Sequence, residues 1–278
     1  MKYADLHVHT FYSDSTFSPE EAVTCARGRA LAAIAICDHD SVDGIDPCRV
    51  IGDKVGVEII PGIELTVEKA DAEIHILGYF MDCSLGWFRT RLKELQAGRI
   101  DRINKMVEKL NSEGIDLNAE DVFKISGRGT VGRLHLANAI LKTGKVKTIK
   151  DIFGKYIGFK KPCYVPNIKL TPHEAIDMIL RTGGVPVLAH PNCMGRDEYI
   201  PELIECGLRG IEVYHTDHNP SAVKRYETIA RENNLLITGG SDCHGLGKGR
   251  VYLGEVRVPY ELVEKLKEES GKIKDEYR

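Results

Sequence analysis

The chain begins with a stretch whose residue types could bind metal: Asp5-Leu6-His7-Val8-His9-Thr10, with Asp14 close behind. Alternate side chains of a β-strand share a face, so a strand here sends His7 and His9 to one point. Two neutral imidazoles converging at a strand end are the usual start of a transition-metal site. A histidine pair on a solvated strand face has the same spacing, so the motif alone leaves both readings open. The pattern recurs, however. Asp38-His39-Asp40 follows the apolar run Leu31 to Cys37, and His190-Pro191 follows Val185 to Ala189. His215 follows Gly210 to Tyr214, and Asp242-Cys243-His244 comes shortly after Leu235 to Thr238. Each has a plain reading by itself: His39 in a polar turn, His190 as a satisfied core histidine, Glu64 on an exposed strand, His75 half-buried. Jointly, so many ligand types after successive strands are poorly explained by accident.

Elements that could position these residues are legible around them. Tyr3 to His9 reads as a strand, and Ser18-Pro19-Glu20-Glu21 has a cap residue, a first-turn proline and a capping-box glutamate. Ala22, Val23, Ala26 and Ala30 then recur at helical spacing. Val55 to Ile60 reads as a strand, Pro61-Gly62 as a turn, and Lys69-Ala70-Asp71 as the tip of a hairpin returning through Glu73 to Tyr79. From Ser84 the pattern becomes helical: Leu92, Leu95, Ile100, Ile103, Val107 and Leu110 mark one long helix or two shorter ones. Val131 to Leu141 marks another, Thr148 to Tyr156 a third, and no strand is expected before Tyr164. Alternation then resumes, with a capped helix from Thr171, a helix over roughly 197–206, one opened by Asn219-Pro220, and a last one from Pro259 to Glu269. The tail after Gly271 is expected to fray. Repeated β-then-α units imply a parallel sheet, and a closed barrel places its chemistry at the C-terminal strand ends. The expected architecture is α/β, a barrel over 1–83 and 167–278 with a helical insertion over 84–166.

Composition excludes some classes. With 42% hydrophobic and 28% charged residues the chain is an ordinary globular one. Its apolar runs are far shorter than the about 20 residues a membrane span needs, and the N-terminus has no signal-peptide pattern. The eight cysteines form no C-x-x-C pair; reduced thiols in a cytoplasmic protein are expected. Net charge is −3, but Lys124 to Lys169 carries eleven Lys or Arg against the single acid Asp151, leaving −13 for the remainder. An acidic body with a basic segment suits carboxylates gathered around metals beside cations awaiting an anion, although a solvated basic face reads the same way.

The motifs D-L-H-V-H-T at 5–10, C-D-H-D at 37–40, G-I-E at 62–64, A-H-P at 189–191 and G-G-S-D-C-H-G at 239–245 resemble those of the polymerase-and-histidinol-phosphatase (PHP) family of metal-dependent phosphoesterases. They span both ends of the chain in the family's order; Cys37 stands where members commonly have threonine. The resemblance implies a distorted seven-stranded (β/α) barrel with two or three divalent ions. By that resemblance His7, His9, Glu64 and Asp242 hold a first metal. Glu64 bridges to a second, completed by His75 and His190, and Asp14, His39 and His244 hold a third. Nitrogen and carboxylate donors without thiolate suit Mn²⁺, Fe²⁺ or Zn²⁺. A bound metal lowers the pKa of water from about 15.7 toward about 7, which would give a hydroxide nucleophile for phosphate ester hydrolysis. Asp40 and His215 are the candidates for supporting the ligands or protonating the leaving group; Asp40 could equally cap its loop.

The insertion with Gly132-Arg133-Leu134-His135, then Lys160-Lys161-Pro162-Cys163-Tyr164-Val165, and later Glu212-Val213-Tyr214-His215 with His218, resembles one branch of the family. Members of that branch remove the 3′-phosphate of nucleoside 3′,5′-bisphosphates or trim short oligoribonucleotides from the 5′ end; Leu134 replaces their usual proline. The basic segment, read as a lid over the site, suits a second phosphate gripped by cations such as Arg133 and Lys160, with Arg128, His135 and His218 assisting. Tyr156, Phe159 or Tyr164 could stack a base or belong to the core. The expected substrate is thus a small nucleotide or short RNA, not duplex DNA or a membrane, and the sequence leaves the oligomeric state open. A histidinol-phosphate phosphatase and a non-catalytic metal-binding scaffold are the alternatives.

Overall fold

A computed structural model describes residues 1–69, 72–166 and 170–277. Seven strands make the barrel wall: β1 (Tyr3–Val8), β2 (Ala33–Ile36), β3 (Glu58–Lys69), β4 (Ala72–Tyr79), β5 (Val185–Leu188), β6 (Gly210–His215) and β7 (Leu236–Gly240). Each neighbours the next in chain order. The seam between β1 and β7 closes at the top, where the His9 N–H donates to the Cys243 carbonyl at 3.0 Å. A short eighth strand, β8 (Val258–Pro259), runs antiparallel beside the start of β1. Closure needs glycine: a Cβ on Gly240 would lie 2.4 Å from the His7 backbone nitrogen.

The sheet is not wholly parallel, as the repeating units had implied. β4 is antiparallel to both β3 and β5. The expected turn at Pro61-Gly62 is instead a change of partner within one continuous strand. Glu58 to Pro61 pair in parallel with β2, and Gly62 to Lys69 pair antiparallel with β4. Proline is tolerated there because the required bond uses its carbonyl, which accepts from Phe80 N–H at 2.8 Å. Gly62 has no room for a side chain, since a Cβ would come within 2.8 Å of the Ile36 carbonyl oxygen. The expected hairpin tip at Ala70-Asp71 lies outside the described residues.

Helix α1 (Pro19–Gly28) opens with the capping box formed by Ser18 and Glu21. An unforeseen helix, α2 (Ile45–Val55), follows, so Val55 ends a helix rather than starting a strand. The long helix α3 (Gly86–Ser112) is one unbroken element. Its first half packs Phe88, Leu92 and Leu95 into the barrel's core. Its second half gives Ile103, Met106, Val107 and Leu110 to a separate small core. That core is completed by α4 (Ala119–Ser126), α5 (Arg133–Lys142), α6 (Ile149–Ile152) and a π-helical turn over Phe153–Ile157. Tyr164 starts no strand; among the described residues the next after β4 is β5.

Around the rest of the barrel lie α7 (Pro172–Arg181), α8 (Pro191–Met194), α9 (Ile200–Glu205), α10 (Pro220–Glu232) and α11 (Glu261–Glu276). The last helix passes through Gly271 rather than fraying, because its end is anchored. Ile273 is fully buried, and Ser270 Oγ donates to the Gly183 carbonyl at 2.7 Å. The eight cysteines are unpaired, and no helix among the described residues is long and apolar enough to cross a membrane.

Candidate metal centre

The C-terminal ends of the strands converge on one carboxylate. Glu64, on β3, is 1% exposed and touches five imidazoles. Its Oε1 lies 2.6 Å from His75 Nδ1 and 2.9 Å from His190 Nε2. Its Oε2 lies 3.3 Å from both His7 Nε2 and His9 Nε2 and 3.2 Å from His39 Nδ1. The antiparallel β3–β4 pair is what brings Glu64 and His75 together, and it explains why a hairpin carries ligands in an otherwise β/α barrel. Asp242 Oδ1 approaches from the other side, 3.1 Å from His9 Nε2. Beyond it, His244 Nε2 is 3.1 Å from Asp14 Oδ1.

Hydrogen bonds at the outer ring nitrogens set which nitrogen faces inward. His7 Nδ1 donates to Glu212 at 3.1 Å, leaving its Nε2 lone pair to the centre. His244 Nδ1 donates to the Asp242 carbonyl at 2.8 Å, with the same result. His9 Nδ1 is 3.4 Å from Ser13 Oγ, whose hydroxyl donates to Asp38. His215 has the opposite arrangement. Its Nδ1 accepts from Asp217 N–H at 3.1 Å, so its Nε2 carries the proton, 3.5 Å from Asp242 Oδ2.

Two buried aspartates hold the loops beneath these ligands. Asp5 accepts from Ser241 N–H, Ser241 Oγ and Gly254 N–H, tying the start of the chain to the 240s loop. Asp38 accepts from the N–H and the hydroxyl of Thr10 and from Ser13. Burial raises both carboxyls to about 6 despite these bonds. His190 and Asp242 sit at φ +25° and +51°, a left-handed region unfavourable for side-chain-bearing residues and concentrated at functional sites.

The donor set fits divalent cations. His7 Nε2, His9 Nε2, His39 Nδ1 and Asp14 Oδ1 are buried polar atoms with no hydrogen-bond partner, a costly state unless something else satisfies them. His7, His9, Glu64 and Asp242 form one group with donor atoms within 4.8 Å of one another; His9, Asp14, His39 and His244 form a second. The acids and imidazoles of the cluster are strongly coupled. Burial opposes charge on His7, yet Glu212, Glu64 and Asp242 raise its pKa well above the imidazole range. Glu64 is likewise held well below the carboxylate range, against burial, by His39, His75 and His7. Burial, the largest effect on His39 and His244, instead lowers their pKa.

A cavity of about 530 Å³ opens over this cluster. Asp14, His39, Glu64, His75, His190, Asp242 and His244 form its floor, and Arg133, Phe153 and Phe159 line its insertion side. Among the described residues, most of the cationic wall comes from outside the basic segment, from Arg99 and Arg102 of α3 and from Lys248. The two arginines carry a legible signal, because they fall on the same stripe of α3 as Leu92, Leu95 and Met106, where apolar residues are expected. Arg102 and Arg133 both pair with Glu73. Burial opposes ionisation of Glu73, but Arg133, His75 and Arg102 hold its carboxyl well below the usual range. Lys248 pairs with Asp242, which keeps its ammonium charged against the effect of burial.

Of the five expected substrate contacts, only Arg133 is part of this cavity's lining. Arg128 lines a second cleft with Tyr12 and Gln96. His135 is buried, its Nδ1 accepting from Gly132 N–H at the start of α5. Lys160 is exposed beside the Phe159 ring, and His218 Nδ1 donates to the Val213 carbonyl. Asp40 is drawn into an ion pair with Arg99 at 2.5 Å. Of the three aromatics, Phe159 reaches the cavity, Tyr156 packs on the insertion's core, and Tyr164 lies buried against Arg102 and Arg133.

The model of the PHP domain family matches residues 5–157, more than half of the chain. This chain belongs to the PHP domain family. Its curated relatives include a 3′,5′-nucleoside bisphosphate phosphatase of Chromobacterium violaceum, 29% identical over 90% of either chain. A 5′-3′ exoribonuclease of Haemophilus influenzae is 31% identical over 87% of this chain and 90% of its own. A crystal structure described as a metal-dependent phosphoesterase of Bifidobacterium adolescentis superposes with a TM-score of 0.88 at 33% identity, covering 96% of each chain. As a PHP protein it is a metal-dependent phosphoesterase. Its fold is the PHP barrel, with the eighth strand at the seam as an addition to the expected seven. Glu212, the anchor of His7, lies within the Glu212-Val213-Tyr214-His215 stretch, and an acid amid apolar residues on an expected strand marks it.

Proposed function

We propose that this PHP protein hydrolyses phosphate monoesters of nucleotides, releasing the 3′-phosphate of nucleoside 3′,5′-bisphosphates, trimming short oligoribonucleotides, or both. One observation carries the reading: a single cavity combines a histidine-carboxylate floor with a wall of Arg99, Arg102, Arg133 and Lys248 and the faces of Phe153 and Phe159. A substrate with two phosphates and a base matches those three features. The names of the two curated relatives support the same choice.

We assign His7, His9, Glu64 and Asp242 to a first ion, and Glu64 with His75 and His190 to a second. Asp14, His39 and His244 would hold a third; Mn²⁺, Fe²⁺ and Zn²⁺ all suit these donors. Bound ions would supply the Lewis acidity that ionises water near neutral pH and offsets charge in an in-line displacement. Glu212 orients His7, and His215 lies behind Asp242 with its Nε2 3.5 Å from Oδ2. Arg133 is positioned to take the second phosphate in exchange for Glu73. Residues 84–166 act as the lid of a barrel made by 1–83 and 167–278, with α3 belonging to both cores.

The test is phosphate release from a nucleoside 3′,5′-bisphosphate, a short 5′-phosphorylated RNA and histidinol phosphate by one metal-loaded preparation. The bisphosphate or the RNA should be turned over fastest, because four cations oppose an ammonium-bearing ester. Equal or better turnover of histidinol phosphate would overturn the substrate assignment. Glu64→Ala should lose bound metal by elemental analysis and phosphate release together. Wild-type protein that binds metal yet hydrolyses none of the three would favour a scaffold.

A further inference from the structure

Lys248 stands apart from the other cations of the cavity. Arg99 is committed to Asp40 and Thr66, and Arg102 and Arg133 to Glu73. Lys248 alone, among the described residues, has an ammonium in an ion pair with a proposed metal ligand, 2.6 Å from Asp242 Oδ2. Asp242 is thereby divided: Oδ1 faces His9 Nε2 at 3.1 Å, and Oδ2 faces the lysine. The lysine is carried by a tight turn directly after the ligands, with Gly247 N–H donating to the His244 carbonyl at 2.9 Å and Gly249 N–H to that of Leu246 at 2.9 Å. Leu246 N–H donates to Thr16 Oγ1 at 2.8 Å, fixing the turn to the loop that bears Asp14. The side chain nevertheless remains 36% exposed and lines the cavity.

We infer that Lys248 is a catalytic residue that grips a non-bridging oxygen of the phosphate undergoing hydrolysis. An ammonium has three donors. Besides Oδ2, the Lys248 ammonium has, among the described residues, only a long 3.5 Å contact to the Asp242 carbonyl, which leaves capacity for an incoming anion. A phosphate held at an ion on Asp242 would lie beside that carboxylate, within reach of a flexible side chain already touching it. A cation held on Oδ1 would draw on the charge Asp242 offers the lysine and would loosen the pair, leaving the ammonium available to an anion. The lysine therefore serves the phosphate at the floor, and Arg133 the second phosphate at the wall. This division rests on the proposed function, but its binding test does not require turnover.

The probe is inorganic phosphate, titrated into Mn²⁺-loaded wild type and Lys248→Ala and followed by calorimetry. Loss of one charge-assisted contact should weaken phosphate binding roughly tenfold or more, with metal content by elemental analysis unchanged. In turnover, Lys248→Ala should lower kcat about 10²- to 10³-fold, equally for a bisphosphate and an aryl monophosphate, and added ethylammonium should restore part of it. Unchanged phosphate affinity would overturn the inference, as would loss of metal, which would make Lys248 a restraint on Asp242. A defect confined to the bisphosphate would overturn it too, by placing the lysine at the second phosphate. If wild type hydrolyses neither ester, the proposed function fails while the phosphate titration still decides the role of Lys248.

Discussion

Glu64 concentrates the energetic problem of this molecule in one side chain. A carboxylate ringed by His7, His9, His39, His75 and His190 in a buried site is tolerable because positive charge is always near it. The arginines of the wall follow the same logic with anionic partners: Arg133 rests on Glu73, a carboxylate that a phosphate would replace under the proposed function. Arg133→Ala should therefore raise KM for a nucleoside bisphosphate about tenfold or more, the worth of one charged hydrogen bond. An aryl monophosphate, with nothing to place at the wall, should show little change. Equal losses for both esters in steady-state kinetics would mean that the wall reads no second phosphate.

At the scale of elements, helix ends and strand partners place the chemistry. α3 joins two cores, so its arginines are fixed from both ends: Arg99 reaches Thr66 on β3 at 2.9 Å, and Arg102 reaches the Val165 carbonyl at 2.7 Å. α11 closes the bottom of the sheet, with Ile273 buried and the Lys274 chain lying over Gly183, at φ +71°. Ile273→Ala should cost about 2–5 kcal/mol of stability, read from denaturant unfolding, because it empties a packed position. A cost within a few tenths would show that this last turn frays after all.

For the whole molecule, barrel closure and ligand assembly are one event. His7 and His9 precede the seam that Gly240 and Cys243 close, and Asp5 pins both sides of it through Ser241 and Gly254. Ions bound at this rim bind the folded state and not the open chain, so they add stability by mass action. At metal one hundredfold above Kd the gain is about 2.7 kcal/mol per site. Chelation should accordingly lower Tm by several degrees in calorimetry and restoring Mn²⁺ should recover it; identical Tm values with and without metal would argue against sites that span the seam.

Much of this was written in local chemistry. The alternating histidines, the aspartates at strand ends, the Ser18 and Thr171 caps and the heptad-like stripe of α3 each depend on residues a few positions apart, and short-range spacing is what a sequence displays. The partner change at Pro61-Gly62, the antiparallel β4 and the burial of Ile273 depend on which strands and helices lie alongside, and spacing carries no record of that. The cationic wall shows the difference best. A run of positive charge over 124–169 is plain in the chain, yet its described lysines are all exposed on helices and loops of the insertion. Among the described residues the cavity takes only Arg133 from that run and its other cations, Arg99, Arg102 and Lys248, from elsewhere, because electrostatic work is done by distance in space, which only the folded chain sets.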